Sequence, residues 1–378
     1  MSSGYAEGVA IVGWAQTEHR HRIDDTPMSL INQVVLDALA SSKLSIREIE
    51  VIVDAGSDFL DGTATSAGVS VDACGAHLKS LTRVAGDGML AAVYAYLRIS
   101  AGLADAALVV SYGKSSESNI SEQSRACAEP YFMRPLGLDA VSAAALQESA
   151  YLGRYGLSRD VCADVVVKNR SAGERNKHAQ FQSAVGLDEV LSSGEWVYPL
   201  RKLEVSPTSD GACALVMAGG ELAGALGVTP AWITGFGHST DAHYIGARDL
   251  HRAVSAGTAA RAALRMAGID DASEIDAFEL TEFFAFQELM LYEALGLCGD
   301  GEGAAFLAEQ TASGRFLLNP SGGALCANPL PATGLVRLAE AASLVIGNGG
   351  QREPVHRALA HSSNGLAMQS AVSIVVER

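Results

Sequence analysis

Two acidic side chains stand where they could carry out proton-transfer chemistry. Asp87 precedes Gly88 at the predicted start of a helix. There it would either cap free backbone amides, which is the commoner role of Asp at such a position, or act as a general base in a pocket. Glu282 follows a predicted strand beside Phe283 and Phe284, where apolar neighbours would raise its pKa. Its alternative role is to hold a backbone amide in place.

One cysteine and two histidines are further candidates. Cys326 lies in the stretch GGALCANP. A free cysteine is usually a small buried hydrophobe, and a relocated nucleophile is the alternative. His238 and His361 lie near the ends of predicted strands, where either could titrate close to neutral pH. For each histidine, a bond to a backbone carbonyl is the commoner role.

Two further groups of residues could contact a phosphorylated ligand. Ser321, Gly322 and Gly323 form a turn in which glycine allows close approach of the backbone to a ligand, although a bare tight turn would use the same residues. Basic residues cluster in VVVKNRSAGERNKHAQF, either as a solvated helix face or as phosphate ligands. They are Lys168, Arg170, Arg175 and Lys177.

The overall charge limits the class of partner. The 378 residues carry a formal net charge of −16, and an acidic surface repels nucleic acid. A small phosphorylated ligand is still compatible, because it needs only a few local cations. Hydrophobic residues make up 48% of the chain, which is enough for a large buried core.

The cysteine spacing and the N-terminal sequence predict a cytoplasmic protein without a metal site. The cysteines contain no CxxC pair, which disfavours a zinc site and a disulfide framework. The N-terminal MSSGYAEGVAIVGW lacks the pattern of a secretory signal, and no apolar run has the length of a membrane span. The six cysteines are Cys74, Cys127, Cys162, Cys213, Cys298 and Cys326.

Strand-like and helix-like segments alternate along the chain, which predicts an α/β fold with crossover helices. The predicted strands are Val9–Trp14, Ile49–Val53, Ala107–Tyr112, Ala212–Met217, Trp232–Gly237, Ile275–Leu280 and Ala371–Val376. The predicted helices are Met28–Ala40, Leu90–Ala101, Ala143–Tyr155, Val161–Arg175, Ala253–Met266, Ala285–Leu295 and Leu335–Ile346.

A long-period repeat indicates two halves of one topology. VAIVGW at Val9 is matched by AWITGFG at Ala231, and SIREIEVIVDAG is matched by DASEIDAFELTE. Ile49 then corresponds to Ile275, an offset of 275 − 49 = 226 residues. Two matches in the same order favour duplication over chance similarity. We predict an N-terminal half over 1–222, including a loop region at about 115–200, and a C-terminal half over 223–378.

Several motifs in order resemble the thiolase superfamily, particularly its archaeal and sterol-carrier-protein-type members. NPSGG at 319–323 and PLPATG at 329–334 are similar to the family's NPSGG…HPxGATG. GVAIVGWAQT, ALQESAYLGRYGLS, VSPTSDGACALVMA and EALGLCGDGEG are supporting matches over nearly the whole chain. The resemblance implies a five-layer α-β-α-β-α sandwich of duplicated βαβ halves and a dimeric assembly.

Thiolase chemistry needs a nucleophilic thiolate and a histidine that activates it. The resemblance places Ala85 where the family has the cysteine of C-A-S-G, with Gly86 as the alternative, and Asn328 where it has the histidine of HPxGATG. Thr281 stands at the oxyanion-hole position, and Glu282 keeps that motif's carboxylate. The family's C-terminal motif, which carries a base cysteine or a histidine-rich glycine loop, reads HSSNG at 361–365. With four positions altered, we expect no cysteine-dependent thiolase activity from this chain.

Three functions remain open on the sequence. The favoured one is the non-nucleophilic subunit of a heteromeric thiolase or acyltransferase complex handling a β-ketoacyl-CoA, paired with a cysteine-containing paralogue. The second is a retro-aldolase that cleaves a β-hydroxyacyl-CoA without an acyl-enzyme, working with a small zinc-ribbon/OB-fold protein that binds acyl-CoA. Tyr244 is its nearest candidate tyrosine. The third is a binding protein for an acyl-CoA or lipid thioester.

These functions share one set of site predictions. No covalently bound cofactor and no metal are expected, and a coenzyme A thioester is the expected ligand. The candidate catalytic residues are Asp87, Glu282 and Asn328. The candidate substrate-binding residues are His238, Ser321, Gly322, Gly323, Cys326, Lys168, Arg170 and Lys177.

Overall fold

A computed structural model describes residues 8–62, 67–347 and 354–378. Its N-terminal elements are β1 (Val9–Gln16), α1 (Pro27–Ser42), β2 (Val51–Gly56), α2 (Ala67–Ala73), β3 (Ser80–Ala85), α3 (Gly88–Ser100) and β4 (Ala106–Lys114). The following segment contains α4 (Ile120–Cys127), α5 (Ala140–Tyr155), α6 (Val161–Gly173), α7 (Leu187–Leu191), β5 (Glu195–Val197) and β6 (Leu200–Arg201).

The remaining elements complete the main sheet and its helices. They are β7 (Asp210–Gly219), α8 (Gly220–Ala225), β8 (Ala231–Thr240), α9 (Val254–Met266), β9 (Ala277–Glu279), α10 (Ala285–Ala294), α11 (Gly303–Ser313), β10 (Leu317–Leu318), α12 (Thr333–Val345), β11 (Arg357–Asn364) and β12 (Ser370–Glu377). All the strands and helices predicted from the sequence are present, with ends shifted by a few residues.

The strand order confirms the duplication. One half of the main sheet runs β3-β2-β4-β7-β1, and the other runs β10-β9-β11-β12-β8, so equivalent strands occupy equivalent places. Short antiparallel pairing of Ala10 with Trp232 and of Ile11 with Ala231 joins the halves at β1 and β8. The boundary at 222/223 itself stays a prediction.

The helices form three layers around these two half-sheets. α1 packs on β1, β4 and β7, whereas α9 packs on β8 and β12 at the opposite outer face. α3 and α12 contact each other and lie between the half-sheets. α12 is buried around most of its circumference because it is apolar on nearly every side. The predicted five-layer α/β sandwich is confirmed.

The segment between β4 and β7 packs against the C-terminal half. Tyr151 of α5 and Val165 of α6 share one apolar cluster with Phe286 and Leu289 of α10. These helices therefore build one wall of the space beside the sheet ends. No helix in the described ranges combines the length and the apolar character needed to cross a membrane.

Candidate functional site

The N-terminal ends of the two central helices meet at one carboxylate. Asp87 Oδ1 accepts a hydrogen bond from the Met89 amide of α3 at 2.8 Å, and Oδ2 accepts one from the Gly334 amide of α12 at 2.9 Å. Asp87 thus caps both central helices, whose N-terminal dipoles favour a negative charge there. The Gly88 amide adds a bond to Pro331 O at 3.1 Å, which ties the two helix starts together.

Asp87 is 6% exposed, and its protonation state is set by opposing effects. Burial raises the pKa of Asp87 to about 6, while hydrogen bonds from the Met89 and Gly334 amides and the influence of the Ser362 hydroxyl oppose that rise. A carboxyl group with this pKa can give or take a proton near neutral pH.

A cavity of about 870 Å³ opens from this junction to the surface. Its floor includes Ala85, Gly86 and Asp87, and Ser363 and Asn364 approach from the end of β11. Its apolar walls come from the segment between β4 and β7, called the inserted segment below, and from the residues at the start of α10. They include Ile120, Val141, Trp196, Val205, Phe283 and Phe284.

The cavity floor does not present the groups needed to form an acyl-enzyme. Ala85 and Gly86 have no nucleophilic side chain, and no histidine is among the described residues that line the cavity. The one cysteine in that lining is Cys127, an exposed residue at the end of α4. Burial raises the pKa of the Cys127 thiol, so it stays protonated at neutral pH.

Asn328 lines the cavity but is held by its neighbours. Its Nδ2 group donates to Ser206 Oγ at 3.0 Å, and its Oδ1 atom accepts from Thr333 Oγ1 at 2.7 Å. Asn328 is 4% exposed. The side chain therefore links the inserted segment to the start of α12, and its amide cannot act as a general base.

Glu282 lies behind the cavity wall in a buried polar network. It accepts hydrogen bonds from Asn169 Nδ2 at 3.0 Å, from Asn319 Nδ2 at 2.8 Å and from the Leu325 amide at 3.1 Å. The same two asparagines also donate to Glu288. Burial, followed by repulsion from Glu288, raises the pKa of Glu282 to about 8. Glu282 therefore holds loops together and is not among the cavity-lining residues.

The turn at 321–323 is shaped by packing inside the protein. Ser321 Oγ donates to Glu279 Oε2 at 2.6 Å, and Glu279 forms a buried ion pair with Arg337 at 2.9 Å. Gly323 has a φ of +65°, and a Cβ atom there would lie 2.2 Å from Glu282 Oε1. Gly322 has a φ of +98° and packs on Cys326.

The basic residues are divided between the interior and a second cavity. Lys168 forms an ion pair with Glu288, and Arg170 bonds to Ser183 while stacking on the Phe181 ring. Lys177, together with Arg175 and Ser321, lines a separate cavity of about 1240 Å³. The cavity that contains Asp87 therefore does not include these residues.

The remaining candidates are not among the residues that line the cavity containing Asp87. Cys326 is fully buried with a pKa raised to about 12 by burial, and its thiol donates to Asn169 O at 3.2 Å. His238 lies on the exposed face of β8 beside Ser370. His361 is fully buried, and burial lowers its pKa to about 3. Tyr244 is 45% exposed and packs on Phe132.

The structure therefore brings together Asp87, Asn328 and the altered nucleophile position, and it separates them from the other candidates. Sequence reasoning missed Cys127, Trp196 and Asn364 as cavity residues. Asn364 follows His361 in the C-terminal motif HSSNG, which was a usable signal. Nothing local in the sequence distinguishes Cys127 or Trp196, because only the folded insertion brings them to the cavity.

Comparisons with known proteins place this geometry in a family. The model of thiolase C-terminal domain-like sequences matches residues 237–378. Acetyl-CoA acetyltransferase of Methanocaldococcus jannaschii is 28% identical over 350 residues, which cover 88% of each chain. Together these matches support membership of the thiolase superfamily. Human sterol carrier protein 2 is 31% identical over 221 residues, 54% of this thiolase-like chain and 39% of that protein.

A solved structure matches the whole thiolase-like chain. The Ltp2-ChsH2(DUF35) aldolase superposes with a TM-score of 0.84 at 24% identity and covers 99% of both chains. This likeness confirms the fold. The chain spans about two fifths of the length of the sterol carrier protein 2 relatives, so their activity as whole proteins is not transferred to it.

Proposed function

We propose that this chain binds an acyl-CoA thioester in the cavity above Asp87 and serves as the non-nucleophilic subunit of a heteromeric thiolase-type complex. The observation that carries the proposal is a cavity of about 870 Å³ whose floor is built from Ala85, Gly86 and Asp87. An acyl-enzyme needs a thiolate at that floor. The nucleophile for a β-ketoacyl-CoA would therefore come from another chain.

The composition of the cavity supports a lipid-like acyl group. Aromatic and aliphatic side chains such as Trp196, Phe283 and Phe284 form its walls, and a small number of polar groups converge at its floor. Ligand sites commonly combine these features, because apolar walls supply binding energy and polar groups fix orientation. A hydrophobic acyl chain with a polar thioester at one end has the matching distribution.

The charge of the cavity supports a partner that contributes cations. Arg83 is the basic residue in the described lining, and it is engaged by the carboxylates of Asp54, Asp58 and Asp61. Coenzyme A carries several phosphate charges, so cations from a second chain would strengthen its binding. A cysteine-containing thiolase paralogue or a small zinc-ribbon/OB-fold protein could supply them. The matching aldolase structure is itself named for two proteins.

A second candidate, aldol cleavage, is favoured by the position of Asp87 in the cavity lining and by its pKa of about 6. Asp87 would take the proton of a 3-hydroxyl group on a β-hydroxyacyl-CoA. The C2–C3 bond would then break to give a carbonyl compound and the enolate of a shortened acyl-CoA, which would take a proton back at C2. No acyl-enzyme forms in this sequence of steps.

The test is to recover the chain from its own host under native conditions and to identify bound proteins by mass spectrometry. We expect the recovered protein to be a paralogue that keeps C-A-S-G and the histidine of HPxGATG. Thiolase activity is then measured for the paralogue alone, with this chain, and with a matched Phe284→Asp variant that places a charge in the apolar wall. We expect activity to rise with the native chain and to fall with the variant.

Two results would redirect the function. Recovery of the chain alone or with only a small zinc-ribbon protein, together with cleavage of a β-hydroxyacyl-CoA that Asp87→Asn abolishes, would establish aldol chemistry. Binding of acyl-CoA with no turnover and no partner would identify a binding protein. Failure to bind any acyl-CoA would remove the proposal and the aldol alternative together.

A further inference from the structure

The side-chain amide of Asn364 lies in the cavity, and its donor group is free. The residue ends β11, is exposed, and lines the cavity. Its Oδ1 atom accepts a hydrogen bond from the Gly365 amide at 2.8 Å, which fixes the plane of the side chain. Its Nδ2 group has no hydrogen-bond acceptor among residues 8–62, 67–347 and 354–378. A fixed acceptor and an open donor in the same side chain suit recognition of a carbonyl oxygen.

The free amide lies beside Gly86, the alternative nucleophile position. A Cβ atom on Gly86 would lie 2.7 Å from Asn364 Nδ2, so the amide occupies space that only glycine leaves open. Gly86 has a φ of +123°, which also favours glycine. Gly86 stands between Ala85 and Asp87 on the cavity floor. Asn364 therefore presents its donor where the thioester of a bound substrate would come closest to the backbone.

The other side-chain amides of the lining are already engaged. Gln287 Nε2 donates to Gln147 Oε1 at 3.2 Å, and Asn328 Nδ2 donates to Ser206 Oγ at 3.0 Å. Gln123 Nε2 contacts Cys127 Sγ at 3.5 Å. The carboxylate of Asp87 would repel a carbonyl oxygen when ionised. Among these groups, Asn364 has the donor that is free for an acceptor such as a thioester carbonyl.

We infer that Asn364 positions the substrate by donating a hydrogen bond from Nδ2 to the thioester carbonyl oxygen. This inference rests on the proposed binding of acyl-CoA. It predicts that the cavity discriminates a thioester from the thioether that lacks only the carbonyl oxygen. A neutral hydrogen bond in a partly exposed site corresponds to roughly a 3- to 10-fold difference in Kd.

The test compares two probes, octanoyl-CoA and S-octyl-CoA, by calorimetric titration of the full chain. The native chain is expected to bind octanoyl-CoA about 3- to 10-fold more tightly than the thioether. In Asn364→Ala this ratio should fall to about 1 while the affinity for S-octyl-CoA stays nearly constant. Gln123→Ala, which removes another amide of the same cavity, is the matched control and should keep the native ratio.

The outcomes separate the positioning role from the proposed function. Equal affinity of the native chain for both probes would overturn the role of Asn364 while leaving acyl-CoA binding intact. An unchanged ratio in Asn364→Ala would do the same. Loss of all binding to the native chain would overturn the proposed function as well. If Asn364→Ala does not fold by circular dichroism, the native ratio and Asn364→Ser, which keeps a shorter donor, decide the question.

Discussion

Asn319 is expected to be a stability determinant rather than a ligand-binding residue, although it opens the NPSGG motif. Its Oδ1 atom accepts from the Leu280 amide at 2.6 Å, and its Nδ2 group donates to Glu282 at 2.8 Å and to Glu288 at 3.1 Å. Its backbone has a φ of +47°, in the left-handed region that asparagine tolerates. Asn319 is fully buried, so water cannot replace these bonds.

The cost of Asn319→Ala follows from those contacts. The Leu280 amide would lose its acceptor, and the two glutamates would lose a shared donor. Each buried group left unsatisfied costs about 1–3 kcal/mol, and alanine in the left-handed region adds about 1 kcal/mol. We expect a loss of about 3–6 kcal/mol in the free energy of unfolding. Asn319→Gly should be about 1 kcal/mol less damaging, because glycine has no Cβ to strain.

Urea denaturation followed by circular dichroism measures these differences. The matched control is Asn32→Ala on α1, where the side chain makes one bond, from Nδ2 to Ala73 O at 3.3 Å, and lies at the surface. That variant should lose no more than about 1 kcal/mol. A loss for Asn319→Ala as small as that of the control would refute the structural role assigned to the motif.

Three further predictions concern the junction and the interior. Asp87→Ala should cost about 2–4 kcal/mol, because two buried amides lose their acceptor. Burial raises the pKa of Asp87 to about 6, so its contribution to stability is greatest below its ordinary pKa and is lost as pH rises through 6. Urea denaturation should therefore show a larger loss of unfolding free energy for Asp87→Ala at pH 4.5 than at pH 7.5. The opposite order would show that the helix amides outweigh burial. In the native chain, maleimide should label the exposed Cys127 well before the buried Cys326, as mapped by mass spectrometry. Octanoyl-CoA should slow the labelling of Cys127. Equal labelling rates for the two cysteines would contradict the placement of Cys127 at the cavity and of Cys326 in the interior. Arg337→Met should cost about 3–5 kcal/mol by leaving Glu279 buried without its cation, and adding Glu279→Gln should recover part of that loss in thermal unfolding.

The duplicated fold could be predicted because each strand has its own apolar pattern in the sequence, and the two patterns repeat in the same order. β2 begins at Val51 and β9 at Ala277, an offset of 277 − 51 = 226 residues that matches the repeat found in the sequence. Each of these strands is fully buried, and buried strands have a continuous apolar pattern. β3 was missed because SLTRVA is half-exposed at a sheet edge and its pattern mixes polar with apolar residues.

The candidate site was predictable only where a side chain contacts residues close to it along the chain. The N-cap role of Asp87 follows from its place before α3, whereas its bond to Gly334 spans 247 positions along the chain. The bond from Asn169 to Glu282 spans 113 positions. Such contacts depend on how the layers pack, which the sequence does not show. Glu282 and Cys326 were therefore predicted as pocket residues, whereas neither is among the residues that line the cavity containing Asp87.

Binding of an acyl-CoA without formation of an acyl-enzyme is the property we propose for this chain. It is tested most directly by titrating the purified chain with octanoyl-CoA in a calorimeter and measuring the intact mass of the same sample after denaturation. We expect saturable binding and an unchanged protein mass. A covalent octanoyl adduct on the denatured chain would contradict it, because a nucleophile would then be acting at a floor built from Ala85, Gly86 and Asp87.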